Sequence, residues 1–164
     1  MTFALGTAEK LIIIERLLNS GFPGRENLWE IIKHDSAFVE IYQLFEETDL
    51  AKLLQNRDVI TLMIPNDNSI RQYENLFSDP RFLWKVLSNH IFTGSWTENI
   101  LAASNGIVLT AIGGATYLVK IIDGEIYLSF YQPGENPAGK LVRIRNSDIE
   151  ASNGVLHILE NFLI

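Results

Sequence analysis

The side chains here with the widest chemical range are three histidines and the acids near them. His157 sits in SDIEASNGVLHIL (147–159), where Asn153-Gly154 is a hairpin-turn signal and Asp148 and Glu150 precede it. With Asn153 and Gly154 as the two loop residues, Glu150 stands opposite His157 and Ile149 opposite Ile158. Strand alternation then places Ile149, Ala151, Leu156 and Ile158 on one face, with Glu150 and His157 on the other. A carboxylate beside an imidazole raises its pKa or fixes its tautomer, which suits general-base catalysis or metal binding. It equally suits a hydrogen-bonded histidine that anchors the last strand. The second reading is favoured, because base catalysis needs a nucleophile or a third orienting group and none is adjacent. One imidazole also falls short of the roughly four ligands of a structural zinc site.

The other candidates are weaker. His90 ends a helical pattern beside FTGSW and reads as a buried or helix-terminal hydrogen-bonding group, and His34 in IIKHDS reads as surface or capping. The histidines are scattered, without His-x-x-x-His or Glu-x-x-His spacing. NDNS (66–69) opens like a calcium loop, but Arg71 and Phe77 stand where that loop needs Gly and Glu, so it reads as a helix cap. GGA (113–115) and NPAG (136–139) lack the Gly-Lys-Ser/Thr of a phosphate loop, and no serine lies in a Gly-x-Ser-x-Gly elbow. No catalytic residue, metal or cofactor is therefore expected. Trp84 is placed in the core and Trp96, after Gly94-Ser95, at the surface.

The elements that must hold these residues come in two blocks. Helical patterns cover Ala8–Asn19, the region of Leu28–Ile32, Phe38–Phe45 after a cap at Asp35 or Ser36, and a short piece through Leu53 and Leu54. DVITLMIPND then breaks the period: a short, β-branched apolar run stopped by Pro65 reads as a buried strand. Further helices follow from Asn66–Asn68, from Ser78 or Asp79 before Pro80, and from Thr97. The second half reads as a meander of strands, with Asp123-Gly124 a tight hairpin turn. The order predicts one α+β domain.

Composition excludes several functions. Thirteen basic and twenty acidic side chains give a net charge of −7, opposite to what nucleic acid or an anionic membrane attracts. The absence of cysteine removes disulfides, thiolate metal sites and a cysteine nucleophile. Leu11–Ile14 is too short an apolar run for a signal-peptide core or a transmembrane span. No Asn-x-Ser/Thr sequon occurs.

Three segments, in order, resemble the fasciclin (FAS1) domain family. ITLMIPNDNSI (60–70) is similar to its first signature box and SDIEASNGVLHILENFL (147–163) to its second. VLSNHIFTGSW (86–96) lies where the family has a Tyr-His motif, with Asn89 in place of the tyrosine. The resemblance implies an α+β wedge of β-strands packed with several helices. It divides the chain into an extra N-terminal helical extension over 1–26 and a fasciclin-like domain over 27–164. It implies a non-enzymatic role in cell adhesion, at the cell surface or in the extracellular matrix, with a protein or glycan partner and an extracellular, periplasmic or surface location. Thr61, Pro65, Asn66, Asn153, Gly154 and His157 match its structural signature; Asp148 and Ile149, with His90, match its adhesion motifs. The alternative is a small-ligand carrier or enzyme with a pocket near Glu150 and His157 or near His90.

Overall fold

The computed structural model describes residues 18–132, 134 and 140–164. The helix expected over Ala8–Asn19 and the turn at NPAG lie almost wholly outside the described residues. The chain runs α1 (Leu28–His34), a 3₁₀ turn (Ser36–Phe38), α2 (Val39–Glu46), α3 (Ala51–Gln55) and β1 (Ile60–Pro65). A second 3₁₀ segment (Asp67–Tyr73), α4 (Pro80–Ser88), β2 (Ile91–Thr93) and α5 (Glu98–Ala102) follow. The remainder is β3 (Val108–Thr110), β4 (Thr116–Ile122), β5 (Glu125–Phe130), β6 (Leu141–Ala151) and β7 (Gly154–Leu159).

Local chemistry sets most of these boundaries. Asn27 and Glu30 form a capping box at α1, and Asp79 caps α4 with Pro80 at its first turn. Asn66, Asp67 or Asn68 was expected to cap the helix that follows; the Asp67 carboxylate instead accepts from the amides of Glu40 and Ile41, 3.2 Å each, at the start of α2. Phe38 holds the cap position of α2 without a capping side chain, so the α2 amides need an acceptor from elsewhere.

The seven strands form one sheet in the order β2-β1-β7-β6-β5-β4-β3. Among the described residues, the one parallel pair is β1 with β7; β6 is shared between the two halves. The sheet curls so that its edges meet: Phe92 bridges Ala111, and the amide of Ile112 donates to the carbonyl of Ile91 at 2.8 Å. Each face of the curl has its own core. Ile60, Leu62 and Ile64 of β1 pack with Leu156 against α1, α2 and α4. Met63 points the other way, with Leu159, Tyr117, Val119 and Leu128, into the hollow of the curl. Every residue of β1 is buried, on both faces, which explains the largely apolar run that marks it. Asp123 and Gly124 both take positive φ, 50° and 79°, as their hairpin requires.

Candidate functional site

The hairpin of β6 and β7 departs from the expected pairing. Its loop residues are Ser152 and Asn153; Ala151 pairs with Gly154, Glu150 with Val155 and Ile149 with Leu156. The slip is two residues, so every side chain keeps its face. Ile149, Ala151, Leu156 and Ile158 do share the helix-side core. The Glu150–His157 pair does not form, because Glu150 lies opposite Val155 and reaches toward Arg25 at 3.8 Å.

Two side-chain demands account for the slip. Asn153 is withdrawn from the turn surface and buried. Its Oδ1 accepts from the Leu28 amide at 2.9 Å, and its Nδ2 donates to the carbonyls of Leu54 and Asn56 at 2.8 and 2.9 Å. One carboxamide thus satisfies the start of α1 and the end of α3. Gly154 lies against β1, where a Cβ would sit 1.7 Å from the Ile60 carbonyl oxygen. Glycine is required there by contact; turn geometry alone was the expected reason.

His157 is fully buried on the concave side of β7. A bulge puts Ser147 and Asp148 opposite it, and Asp148 takes φ 58°. The Asp148 amide donates to Nδ1 at 3.1 Å. Since Nδ1 must accept, the proton is on Nε2, which donates to the Trp96 carbonyl at 2.5 Å. The ring is therefore neutral, and burial lowers its pKa; the Trp96 carbonyl, then Asp148 and Glu98, pull the other way. Both ring nitrogens are engaged by protein, which excludes His157 as an open base or ligand.

The first signature segment holds the same residue. Thr61 Oγ1 accepts from the Trp96 amide at 2.7 Å and donates to the Gly94 carbonyl at 2.6 Å. Thr61 and His157 thus hold the backbone amide and carbonyl on either side of the Trp96 Cα. Asp148 then caps the next element: its Oδ1 accepts from the Glu98 amide at 2.8 Å, a service Thr97 does not perform. The two segments co-occur because β1, β7 and the β6 bulge together fix one loop, residues 94–98.

The remaining candidates fall as follows. Pro65 ends β1 opposite Leu159, and the Asn66 carbonyl accepts from the Ser69 amide. His90 is completely buried, which leaves its ring no surface to offer a partner. Its Nδ1 donates to the Val86 carbonyl at 2.6 Å, and its Nε2 accepts from the Leu163 amide at 2.8 Å. Desolvation lowers its pKa to about 4, only partly offset by the Val86 carbonyl. His34 pairs with Glu26 at 2.7 Å on the surface. Ile149 packs against the helix-side core, whereas Asp148 and Glu150 border a cleft of about 360 Å³ with Thr97, Asn99 and Phe22.

Trp84 departs from its expected core place, and Trp96 is half-buried. Trp84 is 43% exposed and donates to Asp49, because Leu83, Val86 and Leu87 already carry the buried face of α4. Trp96 packs against the second core. Among the described residues no group of three His, Asp or Glu could hold a metal ion, and no helix is long and apolar enough to cross a membrane.

Sequence reading missed the cleft-forming role of Asn89 and Gly113. A Cβ on Gly113 would meet Asn89 Oδ1 at 2.3 Å and Ser88 Oγ at 2.4 Å. The paired glycines and the departure at Asn89 were the available signals.

Comparison with known proteins agrees with this architecture. The Fasciclin domain family profile matches residues 36–164. Human periostin is 22% identical over 146 residues, covering 86% of this chain and 16% of periostin. Transforming growth factor-beta-induced protein ig-h3 of Sus scrofa is 24% identical over 143 residues, covering 84% of this chain and 19% of that protein. The chain thus spans less than a fifth of the length of these curated relatives. A solved FAS1 domain pair from the insect cell adhesion molecule fasciclin I superposes with a TM-score of 0.69 at 15% identity, covering 85% of this chain and 51% of that one.

Proposed function

Because this chain belongs to the fasciclin-domain family, we propose that it is a non-enzymatic interaction domain, binding a cell-surface or matrix protein outside the cytoplasm. The observation that carries the reading is the bulge at Asp148. A second-box acid is held in a left-handed backbone conformation at the rim of a surface cleft, and its bonds to Glu98 and His157 fix it there. Such pre-organisation lowers the ordering cost of binding. Asp148 gives the face negative charge, with Glu150 partly matched by Arg25, which suits a partner with basic side chains. Residues 27–164 form the binding domain. The extension over 1–26 docks its last residues on the hairpin, where Phe22 donates to Ala151 and Ser152 to Glu26, both at 2.9 Å.

The test is attachment of cells or matrix extract to the immobilised domain, with the variant Asp148→Asn. This change keeps an oxygen for the Glu98 amide and removes the charge. Attachment by the parent domain that drops in the variant, at unchanged melting temperature, supports the reading. Attachment that is absent, or indifferent to the substitution, refutes the proposed face.

A further inference from the structure

A second cleft, of about 450 Å³, opens between α4, the Gly113-Gly114 turn, β4 and β5. Its walls are apolar, from Phe82, Val86, Tyr117, Phe130 and Leu163. A smaller hollow of about 240 Å³ shares Tyr117, Phe130 and Leu163 with it, so the apolar surface runs on along β5. Phe130 is 49% exposed, a large apolar side chain left uncovered at the junction. The size falls within the range of small-molecule sites, roughly 300–1,000 Å³.

The chain carries a net charge of −7, yet the charged side chains lining the two hollows, among the described residues, are Lys85 and Lys140, with Ile164 and its α-carboxylate lining both. Asn89 supplies a directed donor. It is 9% exposed, and its Oδ1 accepts from the Ala115 amide at 3.1 Å. A backbone amide can only donate, so that bond fixes the carboxamide's orientation. Nδ2 is left with no acceptor among the described residues, on a side chain that lines the cleft. A donor held in a fixed direction at the cleft wall, and not claimed by a protein acceptor, suits an incoming acceptor.

We propose that this cleft binds a free monoanionic amphiphile, an acyl carboxylate, with the carboxylate between Lys85 and Asn89 Nδ2 and the chain along Tyr117 and Phe130. A lysine charge and an amide donor recognise a carboxylate together; neither adds much for a neutral head group. His90 acts as a positioning residue, since it holds the Leu163 backbone that forms one wall. The proposal is independent of the adhesion face, which lies at the β6 bulge.

Isothermal titration with dodecanoate below its micelle concentration, and with dodecanol as the neutral control, tests it. Saturable one-site binding of dodecanoate is expected, with dodecanol weaker by roughly fivefold or more. Lys85→Gln, on an exposed side chain, should weaken dodecanoate by about fivefold and leave dodecanol unchanged. Asn89→Asp keeps the acceptor for Ala115 but replaces the donor with a negative charge, and should weaken dodecanoate further. Ala115→Phe, which fills the cleft, should abolish both. No saturable binding by the folded parent protein overturns the proposal. So does equal affinity for acid and alcohol, or dodecanoate binding unchanged in Lys85→Gln and Asn89→Asp.

Discussion

His157 and His90 are both buried, both neutral, and each accepts one backbone amide and donates to one carbonyl. Their tautomers are opposite: His157 carries its proton on Nε2, His90 on Nδ1. Their neighbourhoods also differ. Around His157, Thr61, Asp148 and the Trp96 backbone satisfy one another, with the buried Ser95 hydroxyl of the same loop left without a partner among the described residues. Beside His90, the next residue Asn89 leaves half its amide unspent at the wall of an open cleft. A buried histidine therefore says little about function by itself. What its neighbours leave unsatisfied says more, and here that points away from both imidazoles.

The comparison can be broken in four ways. The largest effect belongs to Gly154→Val: with a Cβ 1.7 Å from the Ile60 carbonyl oxygen, β1 and β7 must separate, at a cost of more than about 4 kcal/mol. Denaturant melts should show a cooperative fold largely lost. His157→Ala comes next, at about 3–4 kcal/mol, because it orphans the Asp148 amide and the Trp96 carbonyl together. The same melts report it, and a loss under about 1 kcal/mol would contradict the latch.

Acid provides the third. The His90 pKa falls from 6.5 to about 4 on folding, so the unfolded chain binds a proton that the folded chain resists. The stability from this group is fully present above pH 6.5 and drains as pH falls toward about 4. Its loss across that window is on the order of 3 kcal/mol. His157, also lowered, adds a loss of the same sign. His90→Gln should flatten the dependence of melting temperature on pH; an unchanged slope would remove His90 from the account. The smallest effect is Asp148→Ala, at about 1 kcal/mol for a lost helix cap, read as earlier amide exchange at Glu98 with β7 still protected.

Much of this was legible in the sequence. Asp35, Asp79 and Pro80 mark helix starts because their effects act within one turn. The faces of β6 and β7 were readable because alternation survives a two-residue slip. The pairing itself was not, because Asn153 is drawn inward by Leu28 and Leu54, over a hundred and about a hundred residues away in sequence. The target of Asp67 was illegible for the same reason: it satisfies a helix that lies elsewhere in the chain, as the Asp148 carboxylate also does. His157 was recognisable as an anchor, but its partner Trp96 was not, since nothing in FTGSW signals that its backbone is held from two strands.

The most direct test is nitrogen-15 NMR of the imidazole rings at pH 7. The account predicts two slowly exchanging neutral histidines of opposite tautomer, His157 protonated on Nε2 and His90 on Nδ1. If His157 instead showed averaged tautomers and titrated near pH 6.5, it would be an accessible imidazole, and the latch that joins the two signature segments would not exist.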